Sequence, residues 1–311
     1  MAHRSSPRVV GICFRSSTSN QKSHTWTLSI APTVTHLWLL FRSGDVLASF
    51  QIEKMDAVSF SGCGALNFYQ TGVGYGLQQA WLLHSLRLSG ASAGAGLAMA
   101  LAGGLDARDI AAQMIEITGA YGEGRILRPA WAYEVAQEFC KRFITPVTYE
   151  RAKERIAISV TCAWPTRPWL ITHFDGAQDM ADALIASCFL PHRAQQAHTF
   201  RGLPCVDGGF SNNQPVIGDH CLKVSPFWFH AASHVRPGMQ VRPDFAMRVP
   251  TAQRAWWLFH RGVRDFESFA NQESPSRFGP LRTLRSTLPD QLWTKMFNPL
   301  SLRSSLRARS N

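Results

Sequence analysis

A chain of 311 residues can bury a full core in one large domain or two small ones. With 45% hydrophobic and 17% charged residues it is globular rather than disordered. Thirty-two Lys and Arg against 21 Asp and Glu give a net charge of +11, which suits an anionic partner: phospholipid head groups, nucleic acid or an acidic protein.

Residues 1–54 form an N-terminal extension. Met1 to Gly44 carries no acidic residue, and Arg4, Arg8, Arg15 and Lys22 lie among many Ser and Thr. That composition matches an organelle transit peptide and equally a disordered extension. No apolar run nears the ~20 residues of a membrane-spanning helix. The seven cysteines form no C-x-x-C pair and no zinc pattern, which implies free thiols in a reducing compartment.

Regular structure begins with a short strand at Ala57-Val58-Ser59-Phe60. It runs into Ser61-Gly62-Cys63-Gly64-Ala65-Leu66-Asn67 and then a helix over residues 66–83. A glycine-rich turn between strand and helix presents backbone N–H groups to an anion. As a dinucleotide fingerprint it fails at Asn67, where the last glycine belongs, and no second strand ending in an acid follows at the required distance. As an oxyanion hole it needs only two or three aimed donors near a nucleophile.

A nucleophile pattern follows. Gly90-Ala91-Ser92-Ala93-Gly94 is a G-x-S-x-G motif, approached by the apolar residues 80–83 and followed by an apolar helix from Leu97 to Leu101. Such an elbow turns a strand abruptly into a helix, and the flanking residues must be tiny for the two to meet. Asp106 caps a helix over residues 107–121, and Pro129 opens another to Phe143. The charged stretch Glu150 to Arg155 reads as a solvated face or loop. Ile156 to Cys162 is a β-branched strand, Trp169 to Phe174 another, and residues 178–187 a small-residue helix ending before Pro191. Gly202 to Val206 delivers Asp207-Gly208-Gly209, and Cys221 to Val224 is a last strand. Strands alternating with helices imply a mostly parallel sheet covered on both faces.

A serine nucleophile needs a base within hydrogen-bond reach. For a Ser-His-Asp triad the candidates are Asp175 with His192 or His198, and Asp207 with His220, His230 or His234; none sits in a distinctive local motif. Asp207 is better framed, because the two glycines after it allow close backbone approach. It can take the Ser92 proton directly if it is kept from water. Residues 236–311 form a basic, aromatic-containing C-terminal region. From Arg277 to Asn311 there are seven basic residues and one acid, interleaved with Leu, Trp293 and Phe297. That reads as a membrane-surface segment rather than a nucleic-acid arm, or as a solvated tail.

In order along the chain, Gly62-Cys63-Gly64, Gly90-Ala91-Ser92-Ala93-Gly94 and Asp207-Gly208-Gly209 resemble the patatin-like phospholipase family, from about Ala57 to Phe229. The adipose triglyceride lipase and adiponutrin branch is suggested by residues 59–64, by Ala186-Ser187-Cys188-Phe189-Leu190-Pro191, by residues 207–213, and by Val224-Ser225-Pro226-Phe227. The resemblance implies a three-layer α/β/α fold with a mostly parallel central sheet over residues 55–235. It implies hydrolysis of lipid acyl esters, of the triacylglycerol lipase or phospholipase A type, by a serine–aspartate dyad. Ser92 is then the nucleophile and Asp207 the base. The N–H groups of Gly62, Cys63, Gly64 and Ala93 form the oxyanion hole, and Gly90, Gly94, Gly208 and Gly209 are motif glycines. No metal or organic cofactor is implied. The partner is a lipid surface, membrane or lipid droplet, met from the cytoplasm. Asn67 replaces a family glycine, and Asn tolerates left-handed backbone angles better than most residues. Two alternatives stand: an α/β-hydrolase esterase with a histidine triad, and a catalytically weak lipid-surface protein working through the C-terminal region with Trp256, Trp257 and Trp293.

Overall fold

The computed structural model describes residues 52–273 apart from 81, 193 and 194. The N-terminal stretch up to residue 51 and the basic tail from Arg277, with Trp293, lie outside the described residues. The chain is an α/β fold whose central sheet is covered by helices on both sides. Its core is four parallel strands in the order β7 (Cys221–Val224), β1 (Ala57–Phe60), β2 (Arg87–Ala91) and β3 (Ile156–Cys162). Three strands joined by antiparallel pairing complete it: β4 (Arg167–Ile171) and β6 (Leu203–Asp207) on β3, and β5 (His198–Phe200) on β6.

Strand β3 is buried along its whole length, as a strand covered on both faces requires. Its residues 158 and 159 pair with both β2 and β4, and its residues 160–162 with both β4 and β6. A strand has two edges, so β4 takes one and β2 and β6 share the other, end to end. Ala91 lies opposite Ser159 and Asp207 opposite Val160. Antiparallel β6 thus runs towards the end of β2, and the residues that leave the two strands meet.

Most of the helices follow the sequence pattern. They are α1 (Asn67–Gln79), α2 (Ala93–Ala102), α3 (Ala107–Gly119), α4 (Pro129–Phe143), α5 (Pro146–Ala152), α6 (Ala177–Ser187) and α7 (Ala252–Glu273). Asp106 caps α3 by accepting from the N–H groups of Arg108 and Asp109, and Pro129 sits at the first position of α4. Three expectations need correction. The strand entering the elbow is Arg87–Ala91, whereas α1 already ends at Gln79. The stretch from Glu150 is not wholly solvated: it begins inside α5, and the Arg155 guanidinium donates to the carbonyls of Leu83, Leu86 and Ala102. Those carbonyls close the turn between α1 and β2 and the end of α2.

The third correction concerns α7. Its apolar stripe, Ala255, Leu258, Phe259, Val263, Phe266 and Ala270, is buried, and Trp256 and Trp257 pack partly buried against the core. A Cβ on Gly72 would strike the Phe259 carbonyl, and one on Gly262 the Tyr69 carbonyl. Glycine is unfavourable inside a helix by about 1 kcal/mol relative to Ala. Here it lets the α1 and α7 backbones touch, so these tryptophans belong to the packed body.

Candidate active site

The elbow has the geometry its glycines predict. Ser92 follows β2 with φ 53° and ψ −131°, and α2 starts at the next residue. A non-glycine residue held there stores about 1–3 kcal/mol of strain, which the surrounding packing must hold. A Cβ on Gly90 would lie inside the Gly94 backbone, and one on Gly94 would lie 2.5 Å from the carbonyl oxygens of both Phe60 and Ser61. The strand, the helix and the β1 terminus therefore converge on backbone atoms alone. The Ser92 N–H donates to Ser187 Oγ at 2.8 Å, and that hydroxyl donates to the Ser159 carbonyl at 2.7 Å. Ser187 thereby ties the elbow to β3.

Asp207 arrives from the other end of the shared edge. Its Oδ2 accepts from Ser92 Oγ at 2.6 Å and its Oδ1 from the Gly209 N–H at 2.7 Å. Thr161 Oγ1 donates to its carbonyl at 2.8 Å. A Cβ on Gly208 would overlap the Ser159 carbonyl, so only glycine lets the chain turn this close to β3. Asp207 is only 6% exposed. Burial pushes its carboxyl up from 3.8 to about 6, although the Ser92 and Gly209 hydrogen bonds pull the other way. The result is a carboxylate that is more basic than usual yet ionised at neutral pH, and that accepts a hydrogen bond from a hydroxyl.

The glycine loop divides by function. The Gly62 N–H donates to the Asn213 carbonyl at 3.1 Å, so this amide, expected as an oxyanion donor, is already committed. Gly62 acts through its lack of a side chain, since a Cβ would sit 2.5 Å from Asn213 Oδ1 and 3.2 Å from Ser92 Cβ. Among the described residues, the N–H groups of Cys63, Gly64 and Ala93 have no protein acceptor, and all three residues line the cavity beside Ser92. The left-handed position is Gly64 (φ 53°), where a Cβ would collide with the Ala246 carbonyl. Asn67 is an ordinary right-handed helical residue (φ −58°, ψ −23°) at the start of α1. The expected left-handed conformation does not occur there, and the missing family glycine puts no backbone strain into the loop.

Ser92, Asp207 and the loop open onto an apolar cavity of about 360 Å³, walled by Met114, Leu127, Val135, Phe139, Leu184 and Leu190 among others. Cys63, Cys140 and Cys188 also face it. Burial holds Cys63 and Cys188 well above the usual thiol range and Cys140 at about 12, so all three stay protonated and Ser92 has no thiolate rival. Among the described residues, no histidine lines the cavity. His173 pairs with Asp175 at the surface, His198 stacks between Tyr133 and Phe189, and His234 Nδ1 accepts from the Lys223 N–H. The Ser92 hydroxyl is bonded to a carboxylate, and the triad pairings do not form. Among the described residues, no cluster of three His, Cys, Asp or Glu side chains is placed to hold a metal, and no helix is long and apolar enough to cross a membrane.

The profile of the family described as patatin-like phospholipase matches residues 58–218. The chain is 29% identical over 187 residues to human patatin-like phospholipase domain-containing protein 2, covering 57% of the chain and 37% of that protein. It is 30% identical over 189 residues to human 1-acylglycerol-3-phosphate O-acyltransferase PNPLA3, covering 58% and 39%. It is 27% identical over 180 residues to human omega-hydroxyceramide transacylase, covering 55% and 34%. The matched segment spans well under half the length of each of these relatives.

Proposed function

The chain belongs to the patatin-like phospholipase family, and we propose that it hydrolyses lipid acyl esters through a Ser92–Asp207 dyad. The 2.6 Å hydrogen bond from Ser92 Oγ to a buried carboxylate, at an apolar cavity, carries this reading. Asp207 takes the Ser92 proton as Oγ attacks the ester carbonyl carbon. The tetrahedral oxyanion is met by the N–H groups of Cys63, Gly64 and Ala93, each donor contributing about 3 kcal/mol. Collapse breaks the ester C–O bond, and Asp207 returns the proton to the departing alcohol oxygen. Water then attacks the acyl-serine by the same route in reverse, with Asp207 again the base. An alcohol in place of water gives acyl transfer, the chemistry for which two of the relatives are named. The substrate class is a carboxylic ester of a lipid, triacylglycerol or phospholipid, met at a membrane or lipid-droplet surface. Residues 55–235 supply every group in the reaction.

A fluorophosphonate probe tests the nucleophile: the label is expected on the peptide carrying Ser92 and is expected to vanish in Ser92→Ala. Labelling of another serine, or undiminished lipid hydrolysis by Ser92→Ala, refutes the assignment.

The base gives a second test. Only the ionised carboxylate accepts the proton, and its titration lies at about 6. With a soluble short-chain ester, kcat/KM is expected to be flat above pH 7 and to fall about tenfold per pH unit below 6. A rate that stays flat down to pH 4.5 assigns the base elsewhere.

A further inference from the structure

We propose that the rim of the cavity mouth, built from residues 125–128 and 242–254, docks the protein onto an anionic phospholipid surface. The two segments are held together by backbone bonds: the Leu127 N–H to the Met247 carbonyl, the Val249 N–H to the Arg125 carbonyl and the Gly124 N–H to the Val249 carbonyl. Leu127 and Met247 also line the cavity, which fixes the pair of segments at its opening.

The rim is apolar where it faces out. Ile126 is 60% exposed and Met247 37%, and Phe210, another residue of the cavity lining, is 62% exposed. Large apolar side chains grouped at one opening mark an interaction surface, in contrast to single exposed ones. Around them stand arginines fixed on aromatic rings. Arg125 and Arg128 stack on Trp131, 5.0 and 5.1 Å from its centroid, and Arg242 and Arg254 flank Phe245 at 5.3 and 4.1 Å. Stacked guanidinium groups are held in place and keep donors free for phosphate. The acids nearby are already engaged: Asp244 lies between Arg242 and Arg248, and Glu123 accepts from the Ala252 N–H at the start of α7. Arg125, Arg128 and Arg254 hold no ion pair among the described residues. Exposed apolar residues ringed by unneutralised arginines fit a phospholipid surface, with the apolar residues at the acyl boundary and the arginines at phosphate. This placement delivers an ester from the surface into the cavity without crossing open water. It rests on the reading of that cavity as the lipid-ester site.

The 311-residue chain and two variants, Arg125→Gln/Arg128→Gln and Ile126→Ser, are to be floated with vesicles of phosphatidylcholine alone and of phosphatidylcholine with phosphatidylglycerol. None of these three residues belongs to the catalytic groups. The parent is expected to prefer the anionic vesicles and to lose them as salt is raised. The arginine variant is expected to bind them about 30-fold more weakly, and Ile126→Ser about tenfold. Turnover of a soluble short-chain ester is expected to stay at the parent rate, which also reports an intact fold. Parental vesicle binding in both variants, or no preference of the parent for anionic vesicles, overturns the proposal. So does an oligonucleotide that binds with the same arginine dependence while Ile126→Ser changes nothing, because the rim is then a polyanion site. Loss of soluble-ester turnover in the parent refutes the hydrolase reading instead and leaves the binding result standing.

Discussion

Replacing Asp207 with Asn is expected to lower kcat about 10⁴-fold and, at pH 7, to make the fold more stable. The first effect follows from the proposed role. The amide keeps the shape, its oxygen accepting from the Gly209 N–H and its NH2 donating to Ser92 Oγ, but it takes no proton, so the barrier rises by about 5 kcal/mol. The second follows from burial. Below pH 3.8 the carboxyl holds its proton in both folded and unfolded chains, and its ionisation contributes nothing. Between 3.8 and about 6 the unfolded chain ionises while the folded one does not, so stability falls as pH rises. Above 6 the full penalty, about 3 kcal/mol, is present. Asparagine carries no charge at any pH and removes that penalty. Urea unfolding of both proteins at pH 7 and pH 3.5 reads it: the Asp207→Asn variant is expected to lead at pH 7 and to match its parent at pH 3.5. Equal stability at both pH values, with activity retained, means that Asp207 is neither desolvated nor the base.

Gly94→Ala is expected to destabilise the protein by about 3 kcal/mol and to abolish turnover together with it. The added methyl meets two carbonyl oxygens, those of Phe60 and Ser61, each at 2.5 Å, and neither belongs to a movable side chain. Relief requires α2 to back away from β1, which rotates Ser92 off the line to Asp207. Gly96→Ala is the control. It lies in the same helix, where the new methyl meets only the Phe139 ring at 3.4 Å, and it is expected to fold normally. The denaturant midpoints of the two variants separate the effects, and a Gly94→Ala protein as stable as its parent contradicts the packing described for the elbow.

The parts of the site that were legible in the sequence are those where the backbone must come unusually close to something. Gly90, Gly94, Gly208 and Gly209 sit at fixed offsets from Ser92 and Asp207 because side chains there collide with their surroundings, main chain above all, and such spacing survives in a sequence as a pattern. Long-range hydrogen bonds leave no such mark. Ser187, which holds the Ser92 amide against β3, is 95 residues from its partner and reads locally as one more small residue on a helix. The Gly62 amide appeared free because its acceptor, the Asn213 carbonyl, belongs to a distant loop. Asn67 drew attention as a missing glycine, while the position that needs one is Gly64, facing the Ala246 carbonyl from a segment far along the chain. Helix α7 was obscured by the arginines between its apolar residues, although Ala255, Leu258, Phe259 and Val263 keep a helical period. Strand β2 carries little local signal because Ser89 and Gly90 have little β preference, and pairing on both sides supplies what they lack.

The head-on meeting of β2 and β6 along one edge of β3 also orders events during synthesis. The elbow, α2 and β3 are complete once residue 162 has left the ribosome, but that edge of β3 stays half empty until residues 203–207 follow. Up to that point Ser92 has no Asp207 carboxylate to hydrogen-bond. Ser92 and Asp207 lie 115 residues apart in the chain, and their pairing is a non-local closure that ranks among the slow steps of assembly. On the proposed mechanism, the nascent chain is therefore inert towards ester bonds until β6, the strand that carries Asp207, docks on β3.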